Sequence, residues 1–311
     1  MRVAILGAGP AGMSCANACL SFGLEPVVIE ATDHIGGTQR SNFHPNLWML
    51  GYPDETGEQM TRRLAEHFRQ LDLTLYLRTQ VQSVGAAAHG FTLRLDTPQG
   101  GRELEARAIV LATGMRPRAT PELAALAQQS PRVIIGPLAS AIRDEVRHAR
   151  VLILGGGDNA LDHALFLAER GNTVRVCTRR HFSARQAFLT ACRGRPEIEL
   201  KAHCVPDRLV AEADGRILVH WGAVRVRYDW LLVMYGYQPN TEVLAQFDPA
   251  IRPQLTDSGH VQVDGWQRTS VPGIYAAGDL TVSPQPSVAT AIAQGIAAAR
   301  AIERDWARHE G

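Results

Sequence analysis

Short unbroken apolar runs, each closed by glycine, set the rhythm of this chain. The first, Val3 to Leu6, gives way at once to Gly7, Gly9 and Gly12, so Arg2–Leu6 reads as a buried parallel strand entering a tight turn and a helix. Residues 26–29 repeat the strand pattern and end on Glu30. Over residues 56–71 the period becomes helical: Thr56 caps, Glu58 sits in the first turn, and Met60, Leu64 and Phe68 share one face. Alternation with period two follows at residues 73–77, 91–95 and 102–104, with Gly100-Gly101 as a hairpin signal between the last two. Residues 108–112 are again a buried strand, ended by Thr113-Gly114.

From Arg116 the composition turns Pro- and Ala-rich, with Pro117, Pro121, Pro131 and Pro137, which reads as a connector into a second domain. The opening pattern then repeats. Arg150–Leu154 is a strand, Gly155, Gly157 and Ala160 give GxGxxA, a helix runs from Asp158 to about residue 170 with Gly171 as its stop, and Thr173–Cys177 is the next strand. Strands within residues 199–229 complete this half, and residues 231–234 lead into Tyr235 to Thr241, the expected return hinge. Residues 273–279 form a strand ending in Gly278-Asp279, followed by a small-residue helix from about Ser287 to Arg304.

The glycine spacing carries chemistry. In GxGxxG the first glycine turns the chain off the strand, the second lets backbone N–H groups approach a pyrophosphate, and the third lets the helix lie against the sheet. The helix N-terminus then offers unpaired donors and partial positive charge. Glu30, at the end of the second strand, is placed to accept from an adenosine ribose, which suits FAD or NAD. In the second unit the equivalent position is Thr178, followed by Arg179 and Arg180, with Arg185 further on. Arginines there supply bidentate donors to a 2′-phosphate, so the second cofactor is expected to be NADPH.

At 311 residues, two domains are expected. No apolar run approaches the roughly 20 residues that span a bilayer, and the apolar N-terminus reads as a strand without a signal-peptide cleavage region. Net charge +1 argues against nucleic-acid binding, while residues 116–243, with 18 Lys+Arg against 13 Asp+Glu, suit an anionic cofactor. The five cysteines, Cys15, Cys19, Cys177, Cys192 and Cys204, lack framework spacing, which fits reduced thiols and a cytoplasmic location. There is no CxxC, and none of the 11 histidines has metal-ligand spacing, so no metal is expected.

GAGPAG at Gly7 to Gly12, ATG at Ala112 to Gly114, GGGDNA at Gly155 to Ala160, TRR at Thr178 to Arg180 and AAGD at Ala276 to Asp279 occur in this order. Together they resemble the low-molecular-weight thioredoxin reductase family of pyridine-nucleotide-disulfide oxidoreductases. The resemblance implies an α/β fold of two Rossmann-like three-layer nucleotide-binding domains. An NADPH domain at residues 116–240 would be inserted in an FAD domain made of 1–115 and 241–311. FAD would be held by Gly7, Gly9, Pro10, Ala11, Gly12, Glu30, Gly37, Thr38, Val81, Ala112, Thr113, Gly114, Gly278, Asp279, Ser287 and Val288, with Asp279 on the ribityl chain. NADPH would be held by Gly155, Gly157, Asp158, Asn159, Ala160, Arg179, Arg180 and Arg185. The last helix would aim its N-terminus at the flavin's anionic edge, and the protein would be a homodimer.

The departures are equally informative. Thioredoxin reductases carry a CxxC shortly before the second glycine motif, whereas residues 136–150 read GPLASAIRDEVRHAR. An internal dithiol relay is therefore excluded. The thioredoxin-reductase-like ferredoxin/flavodoxin NADP reductases also lack CxxC and carry a GGGDSA-type motif, but usually add a C-terminal segment that shields the flavin with an aromatic. The chain matches neither subgroup fully.

The expected activity is hydride transfer from nicotinamide C4 to flavin N5, with electrons leaving to ferredoxin, flavodoxin, a small disulfide, a quinone or dioxygen; no side chain is required as acid or base. The aperiodic residues 38–52, with Asn42, His44 and Trp48, would line the exit. Two alternatives stand beside this. One is a single-cysteine disulfide reductase using Cys15 or Cys19, akin to bacillithiol-disulfide reductases, whose cysteine lies where this chain has Ala11. The other is a non-catalytic FAD/NADPH-binding redox sensor.

Overall fold

The computed structural model describes residues 1–45, 49–52 and 54–310, so Trp48 lies outside the described residues. In chain order, β1 (Arg2–Leu6), α1 (Pro10–Ser21), β2 (Glu25–Ile29), α2 (Gly57–Phe68) and β3 (Thr74–Tyr76) precede β4 (Gln80–Ala87), β5 (Gly90–Thr97), β6 (Gly100–Ala106) and β7 (Ala108–Leu111). Then come β8 (Met115–Pro117), α3 (Pro121–Gln129), β9 (Val133–Ile135), α4 (Ser140–Asp144), β10 (Arg150–Leu154), α5 (Asp158–Ala168), β11 (Thr173–Cys177), α6 (Gln186–Arg193) and β12 (Ile198–Lys201). β13 (Arg208–Ala211), β14 (Ile217–Trp221), β15 (Val224–Tyr228), β16 (Trp230–Val233), β17 (Tyr237–Pro239), β18 (Ile274–Ala276) and α7 (Val288–Glu310) complete the chain. It divides into two compact units, Met1–Met115 with Pro239–Gly311, and Arg116–Gln238.

The first unit is built on a parallel sheet in the order β18-β7-β1-β2-β3. Successive strand residues point to opposite faces. Val3, Ile5, Val28 and Val110 pack into one core with α1 and α7, while Ala4, Leu6, Val27, Ile29, Ile109 and Leu111 pack into another with the antiparallel trio β4-β5-β6. Burial on both sides explains why these strands read as continuous apolar runs rather than alternating ones. Each fully buried Ile or Leu contributes about 1.5–3 kcal/mol relative to exposure.

Small residues set how closely α1 and α7 approach. A Cβ on Gly295 would fall on the Ala11 carbonyl oxygen and 3.0 Å from Cys15 N, so the helices meet nearly backbone to backbone. The Ser14 hydroxyl donates across the gap to Ile292 O at 2.8 Å. Cys15 and Cys19 lie fully buried in this seam, where a larger side chain would separate the helices. The α2 start is as the sequence implies: Thr56 Oγ1 accepts from Gln59 N at 3.2 Å and Gln59 Oε1 accepts from Thr56 N at 2.9 Å, a reciprocal capping box.

The second unit repeats the plan with a parallel sheet in the order β12-β11-β10-β16-β9. Leu152, Leu154, Leu231 and Val233 face the antiparallel β13-β14-β15 layer and α3, in a core with Ile217, Val219 and Tyr228. The alternate residues, Val151, Ile153 and Val176, are also buried and leave the opposite face to α5. One expectation is corrected here. The stretch after Arg116 is no mere connector, because it supplies α3 and the edge strand β9. Pro121 stands at the first helical position, where its missing N–H costs nothing, and Thr120 caps the helix by accepting from Leu123 N at 3.3 Å.

Candidate cofactor sites

Both candidate sites sit at the carboxyl ends of parallel strands, where this kind of sheet opens a crevice for nucleotides. In the first unit β1 leaves the sheet at Gly7, whose φ is +109. A Cβ there would lie 2.5 Å from Ala112 O, and one on Gly12 would strike the Gly7 carbonyl oxygen. The turn thus requires both glycines, and Ala112 is the residue it closes against. Gly9 precedes α1 with Pro10 as its first residue, and no side chain among the described residues caps that start. The first-turn donors around Ala11 and Gly12 are left for an anion.

Glu30 faces this turn. Its Oε2 accepts from Ala8 N at 2.8 Å, and its Oε1 accepts from Thr32 N at 2.9 Å and from Thr32 Oγ1 at 2.8 Å. Three donors fix the carboxylate beside the glycine loop. Thr32 is a residue that sequence reading missed, since only the fold shows its hydroxyl turned onto Glu30. Gly36 N donates to Ala8 O at 2.8 Å, which lays Gly37 against Gly9 and begins the 3-10 turn Gly37–Ser41 that exposes Thr38. Beyond it, Asn42 O accepts from Glu58 N at 2.8 Å and His44 O accepts from Gly57 N at 3.2 Å, so this part of the aperiodic stretch is docked on the start of α2.

Gly278 and Asp279 follow β18 in a 3-10 turn, with Gly278 against Ala11 and its N–H donated to Gln294 Oε1 at 2.8 Å. The Asp279 carboxylate takes no hydrogen bond or ion pair among the described residues, and burial pushes its pKa up while His260 opposes the shift. Ser287 and Thr290 cap α7 reciprocally: Ser287 Oγ accepts from Thr290 N at 3.2 Å and Thr290 Oγ1 accepts from Ser287 N at 2.9 Å. Val288, the first helical residue, is buried. Thr113 Oγ1 donates to Asn240 O at 2.7 Å and Gly114 O accepts from Asn240 N at 2.9 Å, which ties the end of the β7 turn to the returning chain. Val81, on β4, packs half-buried against the second core of this unit.

The second unit forms a similar turn. Gly155 N donates to Cys177 O at 2.9 Å, Gly157 precedes α5 without a side-chain cap among the described residues, and Ala160 is buried behind it. Thr178 packs on Gly156, and Ser183 N and Ala184 N donate to Gly156 O at 2.8 and 3.1 Å, lining the loop with contacts the sequence did not announce. Arg179 and Arg180 are exposed just after β11, and neither takes an ion pair among the described residues. The charge of Arg179 reaches the Tyr235 phenol, an exposed side chain, and works against the upward push that partial burial of its hydroxyl gives. Arg185 differs. Its Nε and N donate to Asp158 Oδ2 and Oδ1 at 2.6 and 2.8 Å, and its guanidinium stacks on Phe188. Two predicted cofactor residues are therefore partners of each other. Asn159 is exposed beside them and its carbonyl accepts from His163 Nδ1 at 2.8 Å.

These features define a protein with two dinucleotide folds, the first with an acid beside its glycine turn and the second with two arginines that take no ion pair among the described residues. A sequence profile of pyridine nucleotide-disulphide oxidoreductases matches residues 1–295, and the chain belongs to that family. It is an FAD-containing NAD(P)H oxidoreductase. It is 28% identical over 304 residues to a ferredoxin–NADP reductase of Ignicoccus hospitalis, covering 94% of this chain and 93% of that protein. It is 26% identical over 317 residues to a thioredoxin reductase of Coxiella burnetii, covering 96% and 94%. The crystal structure of T. acidophilum thioredoxin reductase superposes with a TM-score of 0.79 at 21% identity, covering 98% of each chain. No helix among the described residues is long and apolar enough to cross a membrane.

The residues present fit the two cofactors. An unpaired, part-buried carboxylate at Asp279 and an uncapped helix start at Gly9 both call for a ligand with hydroxyls and phosphates.

Proposed function

We propose that this chain is an NADPH-dependent flavin reductase that delivers electrons to an external acceptor of the ferredoxin or flavodoxin class, without an internal dithiol relay. The first unit binds FAD through the Gly7–Gly12 turn, Glu30 and Asp279. The second binds NADPH through the Gly155–Ala160 turn, with Arg179 and Arg180 on the 2′-phosphate and Arg185 held in reserve by Asp158. Bound FAD supplies the step that accepts a hydride and releases electrons singly or in pairs. The protein's part is to hold, orient and neutralise charge, and no side chain has to move a proton at the reacting atoms. On the same reading it acts in the cytoplasm as a homodimer.

The observation that carries this reading is where the thiols are. Residues 136–150 contain none. Cys15 and Cys19 are sealed in the seam between α1 and α7, and the Cys15 thiol is held well above its ordinary pKa by its hydrogen bond with Cys19 and by burial. Burial also raises Cys192, to about 11. A thiolate nucleophile requires the opposite environment, which speaks against the single-cysteine relay.

The test is rapid mixing of the holoprotein with NADPH, followed by a panel of acceptors. Flavin bleaching followed by fast reduction of ferredoxin or flavodoxin, with thioredoxin and small disulfides left untouched, is expected. Turnover with a disulfide at comparable rate would sink the reading, and absence of bleaching would favour the sensor.

A further inference from the structure

Cys177 and Cys204 play no part in the cofactor sites, yet their Sγ atoms lie 2.6 Å apart, close to the roughly 2.05 Å of a formed disulfide. Cys177 is the last residue of β11, and Cys204 follows β12, whose Lys201 stands in register with Cys177. Backbone hydrogen bonds fix the approach: Cys204 N donates to Thr178 O at 3.0 Å and Thr178 N donates to Lys201 O at 3.0 Å. His203 N reaches Arg180 O at 3.4 Å, so the segment bearing Cys204 runs alongside the Thr178-Arg179-Arg180 turn. Both cysteines are free thiols.

We propose that Cys177 and Cys204 are a disulfide-forming pair, closed by hydroperoxides and reopened by thiols, and that closing it stiffens the turn that carries Arg179 and Arg180. The two sulfurs have separate parts to play. Cys204 is partly exposed and meets the oxidant, whereas Cys177 is 1% exposed and cannot be reached directly. The Cys204 sulfur attacks the peroxide, the O–O bond breaks, and Cys204 becomes a sulfenic acid as water or an alcohol leaves. Cys177 then attacks the Cys204 sulfur, the S–O bond breaks, and hydroxide departs as water with the Cys177 proton. Two thiols and one hydroperoxide thus give one disulfide, one water and one water or alcohol. Burial and the neighbouring sulfur push the Cys177 thiol pKa up, so it does not meet the oxidant on its own, and its attack relies on contact with the Cys204 sulfur. Bond formation does not depend on what the turn binds, so this inference survives or fails apart from the proposed function.

The test treats the reduced holoprotein with equimolar hydrogen peroxide and maps its peptides without reduction. The expected result is a loss of two hydrogens, a cross-link joining the Cys177 and Cys204 peptides, reversal by dithiothreitol, and no link in Cys204→Ser, while Cys15→Ala still links. Hydrogen exchange at the Thr178 and Cys204 amides should slow several-fold in the linked form. Sulfinic or sulfonic acid at Cys204 with no cross-link, or a link between other cysteines, would overturn the disulfide. A cross-link that leaves exchange of the turn unchanged would overturn the stiffening. The wild-type measurement needs no variant, so a folding failure of Cys204→Ser does not blunt it.

Discussion

Asp279 is part-buried, and its carboxylate takes no hydrogen bond or ion pair among the described residues. Because burial raises its folded pKa above the ordinary 3.8, the folded FAD-free protein holds the proton more tightly than the unfolded chain. The favourable contribution of the protonated group is present below that ordinary value and is lost as pH rises through the folded pKa. Asp279→Asn should therefore raise the thermal midpoint of FAD-free protein at neutral pH, flatten its decline above pH ~4, and weaken FAD retention; an Asn variant that keeps FAD as tightly as wild type overturns the ribityl assignment. Arg179 and Arg180 invite a different measurement. Each bond to a charged phosphate contributes about 1.5–3 kcal/mol, so the double alanine variant should raise KM for NADPH by roughly ten- to a hundredfold per lost bond and leave NADH unchanged. Equal loss with both nucleotides would assign the arginines to the fold. At this scale the sequence was clear where position in a motif decides placement: Glu30 follows β2, and Arg179 and Arg180 follow β11, as the strand patterns imply. It was silent where a partner lies far along the chain, as for Arg185 and Asp158, 27 positions apart.

Elements place these residues, and the seam between α1 and α7 is the most demanding contact among them. Gly295→Leu would drive a side chain into the Ala11 backbone, so we expect a loss of stability at the upper end of the about 1–3 kcal/mol typical of overpacking, together with loss of FAD, since α1 carries the phosphate turn. Denaturant titration and flavin content read both, and a variant with an unchanged midpoint refutes the close-packed seam. The helix α2 was legible because Thr56 and Gln59 announce its start within four residues, a purely local signal. Other elements were not, β4 and β9 among them. β4 reads QVQSVGAA, a mixed sequence at a sheet edge with little apolar pattern, and β9 is only three residues long within a Pro-rich stretch. Their strand character comes from pairing with β5 and β16, a tertiary cause invisible to a local window.

At the scale of the whole molecule, the repeat of strand, glycine turn and helix made the doubled architecture readable, because each turn must satisfy the same backbone geometry wherever it occurs. If electrons leave without a thiol, replacing all five cysteines should leave NADPH-driven reduction of a one-electron acceptor largely intact. Alanine is the substitution to use for Cys15, Cys19, Cys177 and Cys192, which are buried where a serine hydroxyl would lack water. Loss of activity on changing Cys15 alone, in protein that still holds FAD, would restore the relay. The discontinuous first unit also fixes an order of events at the ribosome. β1 is the middle strand of a sheet whose outer strand β18 and covering helix α7 are made only after the whole second unit. While the second unit, continuous in sequence, can close as soon as it emerges, the Ala11 to Cys19 face of α1 stays wet until α7 has been made. Premature termination between Gln238 and β18 thus releases a chain with a finished nucleotide fold at its end and an open apolar seam at its beginning, a species fitted for chaperone capture rather than for partial activity.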